Sequence, residues 1–243
     1  MYEGLASELL EHVQSLSPGD RLASEPALMQ EFDAKRGTLR EALKMLERQG
    51  FLRSVQGKGW YVTERNPVTW YASWPERGGE TDLTPSDAWA RGVREQGRTP
   101  TEDPIEVAVL IAEPRIATRL NLESGAYVVA RRRLRYVDGV INNSNDTYYP
   151  KTLVEGTPIS LPGDIVPGVY AVLEELGRGW VSARDQKVAR AATSAEAVRF
   201  GITPGDPMME TLRTRYDAER QPVAVTVVVA PGDRTIDEYE VES

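Results

Sequence analysis

Apolar residues near the start of the chain recur at the spacing of an amphipathic helix. Leu5, Leu9, Val13 and Leu16 follow one another at intervals of four, four and three residues. This spacing predicts a first helix with one buried face, because side chains three and four residues apart lie on the same side of a helix. The turn-forming residues at 17–20 predict the end of this helix.

Two further helices are predicted before residue 50. Ser24 is suited to cap a short second helix, and Pro26 is tolerated in its first turn, so this helix runs to about residues 31–33. A third helix is predicted over about residues 35–49, and Gly50 provides its stop. The inward-facing positions of this third helix are Leu39, Ala42, Leu43 and Leu46.

The opposite face of the third helix is basic. Arg36, Arg40 and Lys44 are spaced by four residues and therefore share that face. Two β-rich runs follow at 51–55 and 60–62, and a glycine-rich turn separates them. Three helices and a hairpin in this order predict a winged helix-turn-helix, whose third helix enters the major groove of DNA.

The remainder of the chain predicts a linker and a second domain. Residues 66–81 contain several prolines and glycines and few apolar residues, which is typical of a linker. We therefore expect a DNA-binding domain over residues 1–65 and a second domain over residues 82–243. Within the second domain, a strand rich in β-branched residues is predicted at 105–111.

The second domain contains an internal repeat. Shifting the chain by 80 residues superposes residues 120–139 on residues 200–219. The equivalent pairs are Gly125 with Gly205, Arg133 with Arg213, Arg135 with Arg215, and Tyr136 with Tyr216. In each copy a short helix leads through a glycine turn to a strand, a turn and another strand. Two such units related by an approximate twofold axis predict an antiparallel sheet covered by helices, so the expected fold class is α+β.

The distribution of charge changes the picture that the net charge gives. A formal net charge of −8, taken alone, argues against binding to nucleic acid. However, residues 1–33 carry seven acids and one basic residue, whereas residues 34–58 carry seven basic residues and two acids. This basic segment favours a polyanion as partner. A solvated helix face is the simpler interpretation of the charges alone.

Composition excludes several kinds of chemistry. The 243 residues contain no cysteine and one histidine, His12. Disulfides, thiolate metal sites and cysteine nucleophiles are therefore excluded, and histidine-based triads are very hard to build. We expect no metal, no cofactor and no catalytic residue. Because no apolar stretch approaches the roughly 18 residues of a membrane span and no signal peptide is recognisable, we expect no membrane partner and a cytoplasmic location.

Residues 18–62 resemble the winged helix of the GntR-type bacterial transcription regulators. The resemblance covers 45 consecutive residues, from PGDRLASEPALMQEF to GKGWYV. It implies that Arg36, Thr38 and Arg40 touch DNA through bases or backbone, and that Ser24 lies near phosphate. It also implies a wing that reaches the minor groove. That wing consists of Gly57, Lys58 and Gly59.

Two residues depart from the pattern of the GntR family. Pro26 stands where many members have an arginine that contacts phosphate, and Lys35 replaces the usual serine before the recognition helix. Because proline cannot make the phosphate contact, we expect Lys35 to supply a replacement cation. The predicted DNA-binding residues are therefore Ser24, Lys35, Arg36, Thr38, Arg40, Lys44, Gly57, Lys58 and Gly59.

The second domain resembles the effector-binding domain called UTRA, which occurs in the HutC subclass of GntR regulators and is similar in fold to chorismate lyase. The resemblance covers about residues 82–240. The matching pattern is Arg133-Leu134-Arg135, then Asp138-Gly139, then Tyr148-Tyr149-Pro150. It implies that the two arginines help to hold a small anion, and Asn145 stands where an acidic residue commonly binds a sugar hydroxyl. The predicted effector-binding residues are Arg133, Arg135, Asn145 and Tyr148.

The spacing of the two arginines points to an anion independently of the resemblance. Arg133 and Arg135 are two residues apart on a predicted strand, so both side chains leave the same face. Two guanidinium groups side by side favour a carboxylate or a phosphate. Alternatively, both arginines form ion pairs on an exposed face of the sheet. The candidate partners are Asp138, Asp146 and Asp217.

Together these features predict a DNA-binding transcription regulator. We expect a repressor that forms a homodimer through its second domain and leaves a pseudo-palindromic operator when a small anionic effector binds. Two alternatives stay open. One is a constitutive DNA-binding dimer that has lost its ligand response, because Asn145 removes a charged acceptor. The other is an enzyme similar to chorismate lyase, which we do not expect because no nucleophile with a base and an orienting partner is visible.

Overall fold

The computed structural model divides into two compact units, residues 1–67 and 68–243. It describes residues 2–17, 19–48, 50–55, 57–63, 67–71, 85–166 and 168–239. Residues 66 and 72–81, which make up most of the predicted linker, therefore lie outside the described residues. So does Gln56 in the predicted hairpin.

The first unit consists of three helices and a hairpin. Its elements are α1 (Tyr2–Gln14), α2 (Glu25–Glu31), α3 (Arg36–Arg48), β1 (Leu52–Val55) and β2 (Gly59–Val62). The apolar stripes of α1 and α3 meet in a single core, in which Leu9, Leu39 and Leu43 are fully buried. Asp33 adopts a φ of 44° and makes the tight turn between α2 and α3. The predicted winged helix-turn-helix is thereby confirmed.

The second unit is built on a seven-stranded antiparallel sheet. The seven strands of this sheet are β4 (Pro100–Glu102), β5 (Glu106–Ile111), β6 (Tyr127–Val137), β7 (Val140–Pro150), β8 (Trp180–Ala191), β9 (Pro207–Asp217) and β10 (Pro222–Pro231). Two further strands of the unit, β3 (Val68–Tyr71) and β11 (Thr235–Glu238), form a separate pair. Its helices are α4 (Pro85–Glu95), α5 (Pro114–Arg119), α6 (Lys151–Val154), α7 (Val169–Glu175) and α8 (Ser194–Phe200). The strand order is β4-β6-β7-β10-β9-β8, and β5 also pairs with β6. The expected α+β class is confirmed.

The register of the sheet agrees with the internal repeat in the sequence. β7 and β10 pair at its centre, Arg133 lies opposite Asn145, and Arg213 lies opposite Thr226. Two pairs of this ladder, Asn145 with Val228 and Thr147 with Thr226, flank its central pair. An approximate twofold axis between these two pairs exchanges the hairpin β6–β7 with the hairpin β9–β10.

The two faces of the sheet are covered differently. On one face, residues of α5 and α8 pack over a continuous apolar core that includes Val128, Ala130 and Val225. On the other face, two smaller apolar clusters stand apart. One contains Trp180 and residues of α7, and the other contains Trp89 and Val93 of α4. The inner surface of the sheet between these two clusters carries polar and charged side chains.

Part of the predicted linker is a strand. β3 pairs in parallel with β11, and Val68 is buried beside Trp89. The side-chain amide of Gln96 accepts a hydrogen bond from the N–H of Thr69 at 2.8 Å and donates one to its carbonyl at 2.9 Å. The prediction of a linker is therefore wrong for residues 68–71. Their pairing partner lies near the far end of the chain, where local composition gives no signal.

Candidate functional site

The predicted basic face of α3, formed by Arg36, Arg40 and Lys44, is exposed to solvent. The side chains of these three residues are 68%, 49% and 55% exposed. On the opposite side of the helix, Leu39 and Leu43 are fully buried. The helix therefore docks through its apolar stripe and presents two guanidinium groups and one ammonium group outward. Such donors suit guanine edges and phosphate oxygens.

A carboxylate at the start of α2 orients this basic face. Oε2 of Glu25 accepts a hydrogen bond from Nε of Arg40 at 2.9 Å and lies 3.8 Å from Nε of Arg36. The acids of α3 itself have other partners. Glu41 lies 3.5 Å from Lys44, and Glu47 accepts a hydrogen bond from the backbone N–H of Ser54 at 3.0 Å. Arg40 is therefore held by the neighbouring helix.

The other predicted DNA-binding residues of the helices surround this face. Ser24 is exposed at the N-cap of α2, where its side chain makes no capping hydrogen bond. Lys35 is exposed immediately before α3, and Thr38 is half-buried in the first turn of that helix. Pro26 lies in the first turn of α2, as expected. Ser24 and Lys35 thus immediately precede Glu25 and Arg36 in the sequence, and these two residues are 3.8 Å apart beside Arg40.

The predicted wing is a tight turn with an exposed tip. Gly57 and Gly59 adopt φ values of 74° and 103°, which residues with a side chain rarely adopt. The backbone N–H of Lys58 donates to the carbonyl of Val55 at 2.9 Å and closes the turn. Gly57, Lys58 and Gly59 are all exposed. The turn therefore presents the lysine ammonium at the end of the hairpin.

Two further cations of the hairpin region were not singled out from the sequence. The guanidinium of Arg53 lies 5.2 Å from the ring centroid of Tyr61, and Arg21 forms an isolated β-bridge with the same tyrosine. Both arginines are exposed and extend the positive surface of the wing. The basic run at 34–58 contained a signal for Arg53. Arg21 lies in an acidic stretch and gave none.

The second unit contains a cavity of about 900 Å³ on the inner surface of the sheet, between the Trp89 and Trp180 clusters. Its wall includes seven basic residues and four acidic ones. The basic residues are Arg94, Arg131, Arg133, Arg135, Lys187, Arg213 and Arg215. The acidic residues are Glu102, Asp164, Asp185 and Asp237. Its size suits a small organic molecule, and the excess of positive charge favours an anion.

Arg133 and Arg135 point together into this cavity, as the spacing predicts. Their side chains are 14% and 11% exposed, and both donate to the carboxylate of Glu102 on β4. Nε of Arg135 lies 2.8 Å from Oε1 of Glu102. Asp164 also approaches Arg133, at 3.5 Å.

The three aspartates that were candidate partners for these arginines bind elsewhere. Asp138 accepts from Arg98, and Asp217 accepts from Arg178 at 2.5 Å. Asp146 lies 3.8 Å from Arg132. The alternative of ion pairs with these aspartates on an exposed sheet face is therefore wrong. Glu102 lies about thirty residues from the arginines in sequence, and no local pattern connected it to them.

The structure separates the other two predicted effector-binding residues. Asn145 lines the cavity, but Tyr148 is on the opposite face of the sheet, 8% exposed within the core under α5 and α8. Its ring lies 5.9 Å from the guanidinium of Arg132. Residues three apart on a strand point to opposite faces, so Asn145 and Tyr148 do not share one cavity. The prediction for Tyr148 is wrong, and its neighbours Thr147 and Tyr149 line the cavity instead.

The second copy of the Arg-x-Arg pattern lines the same cavity. Arg213 forms two hydrogen bonds of 2.7 Å with the carboxylate of Asp185. Although burial alone would raise the pKa of Asp185, these bonds hold that pKa below its ordinary value, so the carboxylate stays ionised. Arg215 donates to Oγ1 of Thr226 at 2.6 Å. The internal repeat predicts the equivalence of Arg213 and Arg215 with Arg133 and Arg135, but the UTRA pattern includes only Arg133 and Arg135.

Arg131 fixes the segment that borders the cavity beside α7. Its guanidinium donates to the carbonyl oxygens of Ile159, Leu161 and Gly163 at 3.0, 2.7 and 2.6 Å. Burial lowers the pKa of Arg131, with partial compensation from nearby acidic groups such as Asp164. The Arg131 side chain therefore stabilises the backbone of this loop and adds a positive charge to the wall of the cavity.

The described residues contain no group of three or more histidine, aspartate or glutamate side chains placed to hold a metal ion. His12 lies 3.5 Å from Glu31 and edge-on to the ring of Phe32, between α1 and α2. Within the described ranges, no helix is both long enough and apolar enough to cross a membrane.

Comparison with known proteins separates the same two parts of the chain. Residues 1–62 match the family described as bacterial regulatory proteins, gntR family, and residues 95–236 match the UTRA domain. The chain is 26% identical to the HTH-type transcriptional regulator SCO4628 of Streptomyces coelicolor, over 97% of this chain and 90% of that protein. Over 66 residues it is 42% identical to the mannosyl-D-glycerate transport/metabolism system repressor MngR of Escherichia coli, covering 26% of this chain and 28% of that protein. The crystal structure of PhnF from Mycobacterium smegmatis has a TM-score of 0.59 at 20% identity and covers 98% of this chain and 99% of PhnF.

Proposed function

We infer that this chain, which belongs to the gntR family of bacterial regulatory proteins and carries a C-terminal UTRA domain, is a repressor of the HutC subclass. A small anionic effector releases this repressor from DNA. The chain is a transcriptional regulator, and the two relatives SCO4628 and MngR are named as a transcriptional regulator and a repressor, not as enzymes. The expectation that it is not an enzyme is confirmed by these relatives. MngR, which shares the N-terminal region, is named a repressor, and this supports the sign of regulation proposed here.

The observation that carries the proposal is the exposed basic face of α3. Arg36, Arg40 and Lys44 project from a helix whose other side is fully buried, and Glu25 aligns the two arginines. A helix of this kind in the major groove donates hydrogen bonds to base edges, while the wing lysine, Lys58, contacts the backbone or minor groove. We propose that two chains in the cytoplasm form a homodimer through their second domains and read a pseudo-palindromic operator.

The cavity supports the effector part of the proposal. Arg133 and Arg135 supply donors for a carboxylate or phosphate, and Asn145 and Thr147 offer neutral polar groups beside them. For the effector to release the operator, it must bind the DNA-free arrangement of the dimer more tightly than the DNA-bound one. A coupling free energy of about 1–3 kcal/mol corresponds to roughly a 5- to 150-fold loss of operator affinity.

The operator experiment tests the DNA-binding part. The full chain is mixed with a pool of random duplexes, and the bound sequences are recovered and compared. We expect a two-half-site consensus with inverted symmetry. Recovery of unrelated sequences, or binding that does not depend on sequence, would contradict the proposal.

The effector part is tested with the double variant Arg133→Ala plus Arg135→Ala. We expect this variant to bind the operator as the parent does but to stay bound when the effector is added, because the anion loses its donors. Arg184→Ala, on an exposed part of β8, is the matched control and should release normally. If the double variant is released at the same effector concentration as the parent, the assignment of the cavity fails. If no compound releases the parent, the regulator is constitutive.

A further inference from the structure

The cavity contains two cationic subsites of matching design, one from each half of the internal repeat. In the first, which we call subsite A, Arg133 pairs with Glu102 of the adjoining strand, and the guanidinium of Arg135 lies 4.9 Å from the ring of Trp89. Arg135 also bonds to Glu102. Subsite A thus combines two arginines, one carboxylate and one tryptophan.

In the second, subsite B, the equivalent residues repeat the arrangement. Arg213 pairs with Asp185 of the adjoining strand β8, and the guanidinium of Arg215 lies 5.2 Å from the ring of Trp180. Trp89 and Trp180 are 4% and 5% exposed, and Arg215 is 8% exposed. A buried aromatic ring that stacks on a guanidinium fixes the plane in which the guanidinium N–H groups lie. Both subsites are therefore rigid and partly withdrawn from solvent.

The charges of the two subsites match carboxylates. Among the described residues, subsite A holds two guanidinium groups and Glu102, and subsite B holds two guanidinium groups and Asp185, so each group of three carries one net positive charge. A further carboxylate beside subsite A, Asp164, lies 3.5 Å from Arg133 and is balanced by the neighbouring guanidinium of Arg131. A carboxylate neutralises one charge, whereas a phosphate monoester brings about −1.5 to −2 and would leave an excess of negative charge. Two other charges of the wall neutralise each other, since Lys187 lies 2.5 Å from Asp237.

The floor between the subsites can accommodate the rest of a ligand. Asn145, Thr147, Thr226 and Val228 of the central strands face the cavity between them, and the hydroxyl groups of Thr147 and Thr226 lie 2.9 Å apart. β6 and β9 are separated by three strand spacings, or about 14 Å between backbones. The long arginine side chains reduce the distance that a ligand has to span.

We propose that the cavity binds a single molecule with two carboxylate groups, one held by Arg133 and Arg135 and the other by Arg213 and Arg215. This inference rests on the proposed effector site and specifies the class of its ligand. A dicarboxylate that occupies both subsites joins the two halves of the sheet through one molecule. A monocarboxylate occupies each subsite separately, without the gain in affinity that comes from linking the two groups.

Calorimetric titration of the full chain tests the inference. The probes are straight-chain α,ω-dicarboxylates of four to ten carbons, and the controls are monocarboxylates of the same lengths. For at least one length we expect one dicarboxylate per chain, bound at least tenfold more tightly than the matching monocarboxylate, and two monocarboxylates per chain. Equal affinities of the two series, or no binding of any dicarboxylate, would overturn the proposal.

A pair of variants locates the second carboxylate. Arg213→Gln, Arg215→Gln and Asp185→Asn in one chain remove both guanidinium groups of subsite B together with its carboxylate, so that no bare buried charge is left. We expect the dicarboxylate affinity to fall to that of the monocarboxylate and the monocarboxylate stoichiometry to fall from two to one. Arg184→Gln, next to Asp185 in sequence but exposed, should change neither quantity. Circular dichroism and the melting temperature without ligand verify that the variants are folded. An unchanged dicarboxylate affinity in the folded triple variant contradicts the inference.

Operator release separates this inference from the proposed function. If a monoanion releases the operator while no dicarboxylate binds, ligand response stands and the two-carboxylate inference falls. If dicarboxylates bind as described but the operator stays bound, the inference stands and the proposed release by this cavity falls.

Discussion

At the scale of single residues, the same side chain has opposite environments in the two units. Arg40 on α3 is half-exposed and anchored by one carboxylate, Glu25. Arg131 in the cavity wall is 6% exposed and donates to three backbone carbonyls. An exposed guanidinium that is held by one carboxylate can donate its remaining N–H groups to a binding partner at a small cost in desolvation free energy. A buried one satisfied by carbonyls mainly supports the backbone around it.

Replacing Arg40 tests whether an exposed arginine of this kind contacts DNA. We expect Arg40→Ala to weaken operator binding by about 1–3 kcal/mol, because a recognition-helix arginine loses its base or phosphate contact. The measurement is a fluorescence anisotropy titration at fixed salt, and Arg184→Ala is the control. The melting temperature should change little, since the side chain is outside the core. Unchanged operator affinity would remove Arg40 from the interface.

Residue positions were predictable where a local period decides them. The stripe of Leu39, Leu43 and Leu46 and the shared face of Arg133 and Arg135 follow from helix and strand periods. Tyr148 was predicted wrongly because a motif was transferred as a group, although the strand period separates it from Asn145. The partner of the two arginines, Glu102, was beyond prediction because a different strand brings it there.

At the scale of elements, α8 shows how a short helix is fixed at its start. Thr193 and Glu196 form a reciprocal capping box, and Arg190 donates to both oxygens of Glu196 at 2.6 and 2.8 Å. The hydrogen bonds from Arg190, together with those from Thr193, lower the pKa of Glu196 to about 2, against the opposing effect of burial. A seven-residue helix has few internal hydrogen bonds, so its cap is a large part of its stability.

Glu196→Ala tests this cap and its dependence on pH. We expect a loss of about 1 kcal/mol in the free energy of unfolding at pH 6, where Glu196 is ionised in the folded and unfolded chains alike. Because the folded pKa is depressed from 4.5 to about 2, the stabilisation by the ionised carboxylate decreases as the pH falls through this window. Urea unfolding at pH 6 and pH 3 should therefore show a smaller difference at pH 3. Glu123→Ala, in an exposed turn, is the control, and a difference that grows on acidification would contradict the assignment.

Helices and strands were predictable from the sequence where the contacts that stabilise them come from residues close in sequence. Apolar spacing, capping residues and turn residues within a few positions predict α1, α3 and the hairpin β1–β2. The short strand β3 does not, because its four residues become a strand only by pairing with β11. The repeat was detectable because two stretches of the same chain carry the same pattern, and it predicted the antiparallel hairpins of the sheet.

At the scale of the whole molecule, the chain consists of two units with separate cores. The first unit closes its own apolar core from α1, α3 and the wing. The acidic total charge of the chain is compatible with DNA binding because residues 34–58 carry seven basic residues and only two acids. Selectivity for operator DNA over other polyanions then depends on this small surface.

The separateness of the first unit leads to a prediction for the fragment 1–67. We expect it to fold alone, as a cooperative melting transition would show, because its core residues all lie within it. Without the proposed dimerising domain it should bind a full operator at least a hundredfold more weakly than the full chain, since linked sites gain 10²–10⁴ in affinity. Anisotropy titrations of both proteins on the same duplex measure the ratio. Equal affinities would argue against a dimer formed by the second unit.

The ladder between β3 and β11 has a consequence for the order in which the protein matures on the ribosome. The segment that leaves the winged helix finds its strand partner only after residues 235–238 have been synthesised. Since domains generally fold from the N-terminus during translation, the nascent chain completes its winged helix well before its second unit is closed. A message truncated after the codon for Val229 would accordingly yield a polypeptide with a complete winged helix and an incomplete second unit.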